Sequence, residues 1–116
     1  VREVYDRIAP HPEAFPTLVK KLIELEVRPF DWPAAAIAAI PAPTLIVIGD
    51  SDGPLPEHAV AMFRLRGGGV FGDIAGLPAS QLAVLPGTTH VGVMMRPDLL
   101  LAMIPPFLDA PLPEGA

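Results

Sequence analysis

The sequence predicts an α/β chain of two parallel strands with about four helices. Three observations carry that expectation. Thr44-Leu45-Ile46-Val47-Ile48 is an unbroken β-branched and aliphatic run between Pro43 and Gly49, the pattern of a strand covered on both faces. Leu82-Ala83-Val84-Leu85 is a second such run, and between the two, Pro56 to about Arg66 carries apolar residues at helical spacing. A strand, a helix and a strand in that order imply a right-handed crossover and hence a parallel pair.

The first strong element in chain order is a helix from Phe15. Its apolar residues Phe15, Leu18, Val19, Leu22 and Ile23 recur at i, i+3, i+4, i+7 and i+8, with Lys20, Lys21 and Glu24 opposite, so one face should pack on a core. Pro33 to Ile40 is a shorter helix, with Pro33 suited to the first turn and Pro41 and Pro43 stopping it. After the first strand, the helix from Pro56 is expected to bury Leu55, Ala59, Met62 and Phe63 and to end at Gly67-Gly68-Gly69. Val70 to Ser80 reads as a long irregular loop anchored by Val70, Phe71, Ile74 and Leu77. Beyond the second strand, Leu99, Leu100, Met103, Ile104 and Phe107 define a last helix that Pro105 and Pro106 should kink or interrupt.

At 116 residues, 51% of them hydrophobic, and a mean hydropathy of +0.45, the chain is unusually apolar for one small domain. Two parallel strands leave both sheet edges open, so the rest of a longer protein or another chain is expected to cover them. The chain also begins without methionine, which ordinary processing, a removed tag or a cut inside a longer protein would each explain, and the chemistry below favours the cut. A net charge of −5, with the Lys and Arg residues scattered, argues against a nucleic-acid partner. With no cysteine there is neither a disulfide framework nor a thiolate metal site, which suits a reducing, cytoplasmic compartment. The charged start Val1-Arg2-Glu3-Val4-Tyr5-Asp6 lacks a signal-peptide core, and no apolar run reaches the ~18 residues of a membrane span.

Functional groups of open α/β sheets gather on loops at the carboxyl ends of strands. Asp52, in Gly49-Asp50-Ser51-Asp52, and His90, in Pro86-Gly87-Thr88-Thr89-His90, both occupy such positions. If the strands are parallel neighbours, the Asp52 carboxylate can accept the Nδ1 proton of His90 and so fix the imidazole as a base. Each residue also has a plainer reading, Asp52 as a turn former and His90 as a structural loop residue. Asp50 is expected to stabilise the loop rather than serve as the acid.

From about Asp31 to Ala110, these segments resemble the C-terminal part of an α/β-hydrolase. They run from Pro43 to Asp52, through a helix, to Leu82-Ala83-Val84-Leu85-Pro86-Gly87-Thr88-Thr89-His90 and a closing helix that ends in Pro106-Phe107-Leu108. The resemblance implies that Asp52 is the acid and His90 the base of a catalytic triad. It also implies that residues 1–30 are the end of a cap region or a connecting helix, and 31–116 the C-terminal part of the hydrolase domain. The two residues stand 38 positions apart, long for this family, with the extra length in Gly67 to Ser80. The family's nucleophile lies earlier in its chain, on a Gly-x-Ser-x-Gly-type turn, and nothing of that kind precedes Asp52.

Gly49-Asp50-Ser51-Asp52-Gly53 matches that pattern literally. Pro54 and Pro56 follow where oxyanion-binding N–H groups would be needed, Asp50 and Asp52 would oppose a developing negative charge, and only Asp73 would remain as the acid. Ser51 is therefore read as part of the acid's loop. His11 and His58 are expected to be solvated, and three histidines without ligand spacing imply no metal. Gly67-Gly68-Gly69 lacks the Lys-Ser/Thr of a phosphate loop. Phe71, Ile74 and Leu77 could line a pocket, although burial against a missing half is the better expectation.

The functional expectation is the acid-and-base half of a hydrolase acting on esters or related bonds, needing no cofactor and inactive alone. Its nucleophile, Ser, Cys or Asp, and its small-molecule substrate stay open. The alternatives are a small oligomerisation or interaction module paired with a second copy of the chain, and a minimal serine hydrolase using Ser51, His90 and Asp73.

Overall fold

The computed structural model describes residues 1–29 and 31–112, and the chain divides into two compact units, Val1–Asp31 and Trp32–Ala116. The first unit holds helix α1 (Arg2–Ile8), a 3-10 turn (Pro12–Ala14) and helix α2 (Phe15–Val27). The Tyr5 and Phe15 rings meet edge to face at 5.1 Å, and the Arg2 guanidinium lies 4.7 Å from the Phe15 ring centre while bonding Asp6 one turn on. These contacts gather at the start of α2, and Leu22 and Ile23 on its expected core face are exposed.

The second unit is α/β. Helix α3 (Ala34–Ala38) leads to strand β1 (Thr44–Ser51), helix α4 (Pro56–Leu65), helix α5 (Gly72–Ala75), strand β2 (Ser80–Thr89), helix α6 (His90–Val93) and helix α7 (Pro97–Leu108). β1 and β2 pair in parallel, as the crossover argument requires, with Thr44 opposite Ser80 and each later residue in step as far as Gly49 opposite Leu85. The next paired residues are Ser51 and Thr89, so β2 gains two residues on β1 across an irregularity at Pro86–Thr88. Beside it the Thr88 backbone closes on Gly49, where a Cβ would collide with the Thr88 carbonyl.

Both α4 and α6 pack against the two strands. The buried apolar centre among the described residues is Ile48 of β1, Ala59 of α4 and Leu85 of β2. Thr44 to Val47 are only half buried and Asp50 and Ser51 are exposed, so the full cover expected for β1 is reached at Ile48 and Gly49 alone. Proline at its first position starts α4. Its end is a Schellman closure, in which the Gly68 N–H bonds the Phe63 carbonyl (2.9 Å) and the Gly67 N–H bonds the Arg64 carbonyl (3.0 Å), with Gly67 at φ +84°. Arg66 then donates to Thr44 Oγ1 (3.2 Å) and to the carbonyls of Ala38 (3.0 Å) and Ala42 (2.7 Å), tying the end of α3 and the entry to β1 together.

Several expectations are corrected. The four helices read from the sequence are present as α2, α3, α4 and α7, and the described residues add α1, α5 and α6, whose seven, four and four residues are too few to display a helical period. α5 lies inside the stretch expected to be an irregular loop, and β2 extends well beyond Leu82–Leu85 at both ends. Leu55 is exposed, because it precedes the first turn of α4. α7 runs through Pro105 and Pro106. Proline's fixed φ is helical, and the carbonyls that lose their partners belong to the exposed residues Leu101 and Ala102, within reach of water.

Candidate active site

β1 ends at Ser51, and the chain turns through Asp52 and Gly53 before the Pro54-Leu55-Pro56 entry to α4. That turn folds the Asp52 side chain back over the strand end, where the carboxylate accepts the N–H groups of Gly49 (3.3 Å) and Gly53 (2.6 Å). Its third partner is His90 Nδ1, at 2.8 Å. The two sequence-predicted residues are therefore brought together, across the carboxyl ends of neighbouring parallel strands.

Their surroundings differ. The Asp52 side chain is 5% exposed and that of His90 is 75% exposed. Burial pushes the Asp52 carboxyl up, but the Gly49 N–H, the His90 ring, the Gly53 N–H and the charge of His90 outweigh it, and the net shift is downward. An ionised carboxylate only accepts hydrogen bonds, so Nδ1 must carry the proton in the 2.8 Å contact. In neutral His90 the Nε2 lone pair is then free, the state a general base requires. His90 opens α6, and the N-cap of that helix is Thr89, whose Oγ1 accepts the Gly92 N–H at 3.1 Å.

The pair lines a cleft of about 470 Å³ together with apolar residues that include Ile48, Ala59, Met62, Val93 and Met94. His58, expected only to be solvated, is exposed and also lines this cleft. The one signal for it in the sequence is its place near the start of the helix after the acid loop. His11 is exposed too, with Nδ1 3.2 Å from Glu13 Oε1.

Asp50 does what was expected of it, and more. Its carboxylate accepts the N–H groups of Gly87 (2.9 Å) and Thr88 (3.1 Å) in the irregular stretch of β2, and the Ser51 hydroxyl at 3.2 Å. The Gly87 and Thr88 N–H groups hold its carboxyl below the usual range against a smaller opposing effect of burial, with the Ser51 hydroxyl helping. Ser51 thus donates to Asp50 rather than to His90, and the acid beside His90 is Asp52 rather than Asp73. The Ser51–His90–Asp73 arrangement is not assembled. Sequence reasoning missed Thr88 and Arg96. The Thr88 hydroxyl donates to the Pro86 carbonyl (2.9 Å) and accepts from Arg96 Nη1 (3.3 Å), while Arg96 also bonds Asp98.

Among the described residues no three His, Cys, Asp or Glu side chains gather as a metal site, and no helix is long and apolar enough to cross a membrane. No family model, no curated protein and no solved structure matches this chain.

Proposed function

We propose that Asp52 and His90 are the acid and base of a hydrolytic triad, and that the chain is the C-terminal part of a cytoplasmic enzyme resembling the α/β-hydrolases. The observation that carries this reading is the 2.8 Å contact between His90 Nδ1 and a nearly buried, ionised Asp52, beside a cleft. The carboxylate orients the ring and stabilises the imidazolium formed when Nε2 takes a proton from a nucleophile or from the water that resolves a covalent intermediate. The nucleophile and the oxyanion-binding groups come from a preceding segment of the same protein. The substrate is a small molecule with an ester or a chemically related bond. No cofactor takes part.

The test is to produce the chain joined to the polypeptide encoded directly ahead of Val1 and to assay it against activated esters, haloalkanes and epoxides. Turnover that disappears in His90→Ala supports the reading. Turnover that persists undiminished in that variant overturns it.

A second reading, an oligomerisation module paired with another copy of the chain, draws on the exposed large apolar residues, among them Trp32, Phe71, Ile74 and Leu77. A concentration-dependent dimer in sedimentation equilibrium, with no hydrolytic activity in the longer protein, would favour it.

A further inference from the structure

We propose that Asp50 is a positioning residue for the Asp52–His90 pair, acting by holding open the two-residue bulge of β2. This rests on the triad reading and extends it to a group that touches neither substrate nor reacting atoms. Up to Gly49 opposite Leu85, the strands advance in step. Continued without interruption, that register would set Thr88 opposite Asp52. The observed jump pairs Ser51 with Thr89 instead, which brings His90 level with Asp52. A slip of two residues conserves the alternation of faces, so His90 arrives on the side of the sheet that Thr88 would have taken.

The bulge leaves three residues, Pro86, Gly87 and Thr88, opposite the single residue Asp50. Pro86 has no N–H, and successive N–H groups of a regular strand point to opposite edges, so only the bulge turns the adjacent N–H groups of Gly87 and Thr88 toward β1 together. Both go to the Asp50 carboxylate, one to each oxygen, at 2.9 and 3.1 Å. Gly87 takes the left-handed backbone the bulge demands, at φ +58°. From the other side, the buried Thr88 hydroxyl bonds the Pro86 carbonyl and receives Arg96. An acceptor with two oxygens and a negative charge suits two adjacent N–H donors, which neither the amide of asparagine nor a methyl group can replace.

The test reads the His90 tautomer by ¹⁵N NMR of the imidazole in the full chain, and so needs no substrate. In the parent chain the neutral ring is expected as the Nδ1–H form with a downfield, exchange-protected proton, and Asp52→Asn abolishes that signature. Asp50→Ala is expected to abolish it as well while the chain stays folded by circular dichroism, and Asp50→Glu to restore part of it. Should Asp50→Ala unfold, the isosteric Asp50→Asn decides by the same criterion. A native His90 signature in a folded Asp50→Ala or Asp50→Asn variant overturns the proposal and leaves the acid–base pair standing. Unfolding of both variants also overturns it, because Asp50 then serves global stability. A parent signature unaffected by Asp52→Asn sinks the pair itself, a distinguishable result.

Discussion

The turn that carries Asp52 and the helix start that carries His90 meet at one hydrogen bond, yet they are built in opposite ways. The acid is nearly buried and folded back on its own strand end, where Gly49 and Gly53 satisfy it from the backbone. His90 is three-quarters exposed, its ring bonded to Asp52 and to no other side chain among the described residues, on a helix of a single turn. A group that orients and stays ionised gains from enclosure in N–H donors, whereas a group that must give and take a proton needs one nitrogen open to the reactants. On the proposed reading, Asp52 therefore orients and His90 exchanges the proton.

The largest expected effects test that division of labour in the assembled protein. His90→Ala should lower kcat/KM by about 10⁴-fold or more, and Asp52→Asn by a comparable or smaller factor, measured by steady-state kinetics. An Asp52→Asn loss exceeding that of His90→Ala would reverse the roles. Next is Gly49→Ala, whose methyl group would press on the Thr88 carbonyl. It should cost about 3 kcal/mol in urea unfolding and also remove the protected His90 proton, because it forces the two loops apart. Thr89→Ala removes the cap of α6 and should cost about 1 kcal/mol, with some loosening of His90 and none of Asp52.

The smallest effect is on acid stability. Asp50 and Asp52 both have folded-state values lowered from the ordinary 3.8, so their contribution is complete above that value and is lost as the pH falls through the lower folded-state values. Replacing both by Asn should flatten the acid limb of the stability curve below about pH 4 and leave its neutral part parallel to the parent's.

How much of this was legible depends on how local each determinant is. The start of α2, the Pro56 start and triple-glycine stop of α4, and the apolar cores of β1 and β2 follow from residue patterns that any reader of the chain can lay out. The Asp52–His90 meeting was also within reach, because parallel neighbours send their loops out at the same sheet edge. Three short helices were not legible, since four to seven residues show no period, and neither was the passage of α7 through Pro105 and Pro106. Asp50 was legible as a loop residue, but its grip on Gly87 and Thr88 spans 37 and 38 positions and leaves no mark in either stretch of sequence.

By itself, then, the sequence determined the two strands, the helix between them and the places of Asp52 and His90 just beyond the strands' carboxyl ends, because these depend on side-chain type and on spacing within one element. Only the tertiary structure decided that β2 slips two residues past β1, that Asp50 takes the N–H groups of Gly87 and Thr88, and that His90 rather than Thr88 stands level with Asp52. Register between strands is a property of the pair, settled by whether every backbone N–H in the contact finds an acceptor, and neither strand carries that information alone.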